Sequence, residues 1–170
     1  MAIAVAASAV AVSRLLGDGE PGAPDPGPVH VHGLGVNPAD RSLLLATHTG
    51  LFRLGPESQR AERIGDRYQD TMGFTVTGPD RFLGSGHPDV RGDLPPLLGL
   101  IESRDGGASW RSISLLGKAD FHALRTQGRL VVGYDATGGQ LLTSRNSGRS
   151  WRGAVPPEPL VDVVLDPGSP

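Results

Sequence analysis

Beyond residue 28 the chain is a succession of short apolar runs cut by Gly, Pro, Asn and Asp, and no window of eleven or more residues keeps a helical period. Read as strands, the runs fall into fours. Those beginning at Phe121, Arg129, Gln140 and Ser150 make an antiparallel meander of about 40 residues. The same order appears upstream in runs beginning at Met72, Arg81, Leu98 and Ser109, with an extra loop from Asp89 to Pro96 between the second and third. A further set begins at His32, Ser42 and Gly50, with a fourth strand at Ala61 to Ile64, and the run from Leu160 repeats the innermost strand once more. Equivalent positions in the four innermost runs are His32, Met72, His122 and Asp162, spaced 40, 50 and 40 residues apart.

Two segments anchor this alignment. Ser103, Asp105, Gly107, Ser109 and Trp110 fit the pattern SxDxGxSW, and Ser144, Asn146, Gly148, Ser150 and Trp151 fit it again 41 residues later with Asn for Asp; they contain the only two Trp residues of the chain. A pattern recurring at such a period marks a repeat architecture. It resembles the Asp-box, or BNR repeat, of sialidases, sortilin-type receptors and related β-propellers. The strings HVHGLGVNP from His30 and LLLATHTGLFRLG from Leu43 are similar to a bacterial exported branch of these proteins commonly labelled glycosyl hydrolase or exo-alpha-sialidase. The resemblance covers roughly residues 29–166 and specifies a repeat type, not an activity.

The expected fold is therefore all-β: a β-propeller segment with blades at about 29–66, 70–116 and 120–155 and the start of a fourth at 160. On that fold the box occupies the hairpin between third and fourth strands. Its Asp or Asn bonds nearby amides, its Gly allows positive φ, and its Trp enters the core between blades, all of which are folding tasks. Three blades and one strand do not close a ring, since each blade buries its faces only against neighbours. The expectation is an incomplete ring, closed by further blades beyond Pro170 or by association of copies.

Composition narrows the setting. A hydrophobic content of 38% with 20% charged residues suits a globular chain, and a net charge of −2 with scattered basic residues excludes a nucleic-acid surface. Met1 to Val12 is almost wholly small and apolar and carries an AxA element at Ala9 to Ala11. That is the length of a signal-peptide core and too short for a membrane span, so residues 1–16 are read as a signal or anchor segment and the protein as extracytoplasmic. The alternative is an Ala-rich helix, and no basic residue precedes the run. Residues 17–28 form a Pro/Gly linker, and with no Cys there is no disulfide framework.

A sialidase-type site implied by the resemblance needs converging arginines, a Tyr nucleophile activated by Glu and an Asp acid, and glycosidases in general need paired carboxylates. The family's Arg-Ile-Pro motif is absent; Arg63-Ile64-Gly65 is the nearest string. Tyr68 and Tyr134 are the only tyrosines, and nothing pairs Asp70, Asp89, Asp93, Asp120 or Asp135.

The histidines point elsewhere. His30 and His32 precede or open the first innermost strand, His122 opens the third, and His48 and His87 end second strands. In an up-and-down meander these places share one end of the blades, opposite the boxes. With Met72 and Asp162 they give a channel mouth of imidazole, thioether and carboxylate, ligand types suited to copper or zinc, with His30, His32 and His122 as candidate metal ligands. Polar channel residues and exposed loop histidines are the competing readings. The sequence thus predicts a non-catalytic module binding a protein or carbohydrate partner at the face of His32, His48, Met72, His87, His122 and Asp162; the alternatives are a glycosidase fragment and a metal-binding propeller.

Overall fold

The computed structural model describes residues 25–166 and residue 168, so the segment 1–16 and most of the linker 17–28 lie outside the described residues. Twelve strands form three four-stranded antiparallel sheets, each a meander in chain order and each a blade of a propeller-like fold. The first blade comprises β1 (Val31–Val36), β2 (Leu43–Thr47), β3 (Gly50–Leu54) and β4 (Glu62–Arg63). The second comprises β5 (Asp70–Gly78), β6 (Arg81–His87), β7 (Leu100–Ser103) and β8 (Arg111–Ser114). β9 (Phe121–Gln127), β10 (Leu130–Asp135), β11 (Gln140–Ser144) and β12 (Arg152–Ala154) make the third. The described residues include no helix, and so none long and apolar enough to cross a membrane.

The innermost strands β1, β5 and β9 lie side by side. Glycine sets their spacing. A Cβ on Gly33 would lie 3.0 Å from Cβ of Phe74, and one on Gly73 would lie 2.3 Å from the carbonyl oxygen of Phe121, so neighbouring blades meet at nearly bare backbone. The apolar residues of the strands then fall into two clusters, one at each junction. Leu44, Ala46, Leu51, Phe74 and Phe82 fill the first, sealed by Trp110; Leu83, Leu100, Phe121, Leu124 and Val131 fill the second, sealed by Trp151. Burying one such Phe contributes about 1.5–3 kcal/mol, and a blade that can hide its apolar residues only against a neighbour is held by these junctions.

The run from Leu160 is assigned no strand among the described residues. Residues 160–166 join no sheet ladder, and Val161 and Val164 are 96% and 90% exposed. Asp162 instead receives two bonds from the Arg125 guanidinium on β9, at 2.7 and 2.8 Å.

The inserted loop from Asp89 to Pro96 is pinned at its base. The Asp89 carboxylate accepts the Tyr68 amide at 3.0 Å and the Arg91 guanidinium at 2.9 Å, and Arg91 also donates to the Asp66 carbonyl at 2.9 Å. The Arg91 hydrogen bond holds the Asp89 carboxyl well below the usual carboxylate range, against a smaller opposing effect of burial. Because the folded-state value is depressed, this contribution is complete above the ordinary carboxylate range and is lost as pH falls through it toward the lowered value. Proteolysis within 89–96 is expected to accelerate between pH 5 and about 2.5 under an acid-active protease, and Asp89→Asn is expected to give fast cleavage already at pH 7.

Candidate functional site

Each blade presents two ends, and the sequence motifs divide between them. At one end the two SxDxGxSW segments form matched turns. Ser103 Oγ donates to Asp105 Oδ1 at 2.9 Å and accepts the Gly107 amide at 2.8 Å, while Asp105 Oδ1 accepts the Ser109 amide at 2.9 Å. In the second segment Ser144 Oγ bonds Asn146 Oδ1, Gly148 N donates to Ser144 Oγ and Ser150 N to Asn146 Oδ1, each at 2.9 Å. Asn replaces Asp without loss because only one oxygen must accept. The second atom reverses role: Asp105 Oδ2 accepts from the Ser109 hydroxyl, whereas Asn146 Nδ2 donates to the Ser150 hydroxyl at 2.8 Å. The Ser109 hydroxyl, and after it the Ser109 amide, hold the Asp105 carboxyl below its usual range.

The glycine of each box meets the previous blade. A Cβ on Gly107 would lie 2.6 Å from Leu51 Cδ2 and one on Gly148 2.1 Å from Leu100 Cδ2, both at positive φ. Trp151 stacks 5.1 Å from Phe121 and donates from Nε1 to Ser114 Oγ at 3.0 Å. Every polar atom of the boxes described above is used within the hairpin or at a blade junction.

The other end gathers the imidazoles. The innermost strands share a feature there that sets them apart from plain strands. On β1, Val31 pairs with Thr47 and Gly33 with Ala46, leaving His32 unpaired in a bulge. On β5, Thr71 pairs with Gly86 and Phe74 with Gly84, so Met72 lies in a bulge as well. On β9, Phe121 pairs with Asp135 and Ala123 with Tyr134, leaving His122 as the extra residue. A bulge re-aims one side chain out of the regular alternation. His32, Met72 and His122 all line one depression of about 770 Å³, together with Arg125 and Asp162.

Behind this row runs a second repeated contact. His48, just after β2, places Nδ1 2.9 Å from Asp70 Oδ1 at the start of β5. One blade on, His87 at the end of β6 places Nε2 3.4 Å from Asp120 Oδ2, just before β9. Each is a His–Asp clasp from the second strand of one blade to the innermost strand of the next. His122 shares the second clasp, with Nε2 2.8 Å from the same Asp120 oxygen, and the Pro96 carbonyl lies 2.9 Å from His87 Nδ1. The second clasp is closed: Asp120 is 5% exposed and engages both imidazoles.

The first clasp is crowded instead. His32 lies 4.3 Å from His48 between ring centroids, and His30, at φ 51°, lies 5.0 Å from His48. Burial first, and then the His48 imidazole, lower the pKa of His32 below the usual histidine value. His32, His48 and Asp70 bring their ligand atoms within 4.8 Å of one another. The candidate metal set read from the sequence is therefore redistributed. His30 and His32 lie in the first clasp with His48, whereas His122, on β9 beyond β5, is bound to Asp120 in the second.

Asp70 and Asp120 were missed as members of this end. The available signal was their column: His30, Asp70 and Asp120 are spaced 40 and 50, like His32, Met72 and His122 two residues later.

No protein-family model and no curated protein sequence matches the chain. Among solved structures it is similar to an ancestral GH74 enzyme, with a TM-score of 0.55 and 14% identity over 75% of this chain and 18% of that one. The likeness at this identity bears on the fold, and the chain spans under a fifth of that enzyme's length.

Proposed function

We propose that this chain is part of an extracytoplasmic Asp-box β-propeller protein and acts as a non-catalytic binding module, its ligand seated at the end carrying His32, Met72 and His122. The observation that carries this reading is the bulge repeated at the same place in all three innermost strands, each aiming its side chain into one depression. Packing alone has no need of three such irregularities, and bulges of this kind concentrate next to sites of function. Export is supported by the apolar run and AxA element of the first twelve residues.

The likeness to a GH74 enzyme favours a glycoside hydrolase as the second reading. Against it stands the pairing of the carboxylates. Asp70 and Asp120 are engaged by imidazoles and Asp162 by Arg125, whereas glycoside cleavage needs two carboxyl groups facing each other across the bound sugar. With xyloglucan oligosaccharides, aryl glucosides and a sialoside as substrates, the protein is expected to release no sugar above the buffer blank. Release proportional to protein concentration and abolished by Asp70→Asn or Asp120→Asn would establish the hydrolase instead.

A further inference from the structure

We infer that the crowded clasp between the first two blades is a binding site for a divalent transition-metal ion of the zinc type, with His32, His48 and Asp70 as its protein ligands. The inference names the ligand class for the binding face proposed above and rests on that reading.

The donor set comes first. Two imidazole nitrogens and one carboxylate oxygen make a borderline N2O set that suits Zn2+ and its neighbours Co2+ and Cu2+, and with no thiolate or thioether among the three it does not select Cu(I). Three protein ligands also leave one position open on a tetrahedral ion, the arrangement of sites that meet a further ligand from solution.

Geometry supports the same assignment. The donor atoms lie within 4.8 Å of one another, compared with about 3.3 Å between ligands held at zinc bond lengths on a tetrahedron. Small rotamer changes close that gap, since His32 is exposed and the His48 side chain is 38% exposed, while Asp70 is 22% exposed and fixed at the start of β5. The positions are not free to drift far. The bulge on β1 directs His32, and the His48 amide is tied to the Val29 carbonyl at 3.0 Å.

A second observation comes from Asp70 itself. Its Oδ1 is buried from solvent and lies 2.9 Å from His48 Nδ1, yet it accepts no hydrogen bond. Two donor atoms this close without hydrogen-bond alignment are placed as two ligands of one ion would be. At the next junction Asp120 Oδ1 is likewise buried without a hydrogen-bond partner, and the two clasps differ in the other oxygen and in the grouping of donor atoms. There the shared Asp120 oxygen takes the His122 ring nitrogen in hydrogen-bond geometry at 2.8 Å, and the three side chains do not bring their ligand atoms into one such group.

The test is titration of untagged, chelator-treated protein with Zn2+ by calorimetry and with Co2+ by visible absorption. One ion per chain is expected, with a Kd of micromolar or below and a Co2+ d–d spectrum of four- or five-coordinate intensity. His32→Gln, at an exposed position, is expected to weaken binding at least tenfold with an unchanged circular dichroism spectrum. Asp70→Asn should do the same, and Asp105→Asn, in the box turn at the opposite end of the blades, should leave the affinity unaltered. No saturable binding below 100 µM would overturn the assignment, as would binding retained in both His32→Gln and Asp70→Asn or lost in Asp105→Asn. Each of these negative results leaves the absence of glycoside cleavage standing, whereas sugar release by the metal-free protein would remove the non-catalytic reading without touching the metal site.

Discussion

Phe121→Ala is expected to cost about 3–5 kcal/mol of folding stability, the range for deleting a buried aromatic side chain where the cavity cannot collapse. Phe121 is fully buried at the second blade junction, with Leu83 and Leu100 from one blade and Leu124 and Val131 from the other around it. Its ring lies against Trp151 on one side and, on another, so close to Gly133 of β10 that a Cβ there would fall 2.4 Å from it. The walls are therefore strand side chains, the β10 backbone at Gly133 and a Trp held by Ser114. Ordinary domain stability is about 5–15 kcal/mol, so the loss is a large share of the total. Urea unfolding followed by Trp fluorescence checks it. A loss under 1 kcal/mol would mean that the junction is not the principal core of the third blade.

The value of that junction was only partly legible in the sequence. Alternation of apolar and polar residues and the box period are local properties, so the all-β class and the grouping into three sheets could be read directly. What alternation cannot convey is register. The bulges at His32, Met72 and His122 exist only relative to Thr47, Gly86 and Asp135 on partner strands, and nothing in the runs themselves marks the extra residue. The His–Asp clasps were hidden for a similar reason, because they join the second strand of one blade to the first strand of the next, and a reading made blade by blade has no term for that contact.

The same junction makes Gly73 the position where the smallest change has the widest consequence. Gly73→Ala is expected to destabilise the protein by about 3 kcal/mol although it adds a single methyl group. The added carbon would lie 2.3 Å from the Phe121 carbonyl oxygen and 3.2 Å from its carbonyl carbon, both backbone, so no rotamer change relieves the clash and β5 must part from β9. Parting them also disturbs the open end, since Met72 precedes Gly73 in the bulge and His122 follows Phe121. The His87 contact to Asp120 spans the same two blades, so its 3.4 Å separation should lengthen. The clasp between the first two blades joins Asp70 at the start of β5 to His48 across the other junction and should keep its geometry. Gly73→Ala is thus expected to lower the urea midpoint and shift the ring-proton resonances of His87 and His122 while leaving Zn2+ affinity within about threefold of the parent. Gly78→Ala serves as the control, because a Cβ at Gly78 meets nothing within 4 Å, and its unfolding free energy should stay within about 0.5 kcal/mol of the parent value. Equal losses in the two variants would show that strand glycine content, and not the approach of β5 to β9, sets the stability of this junction.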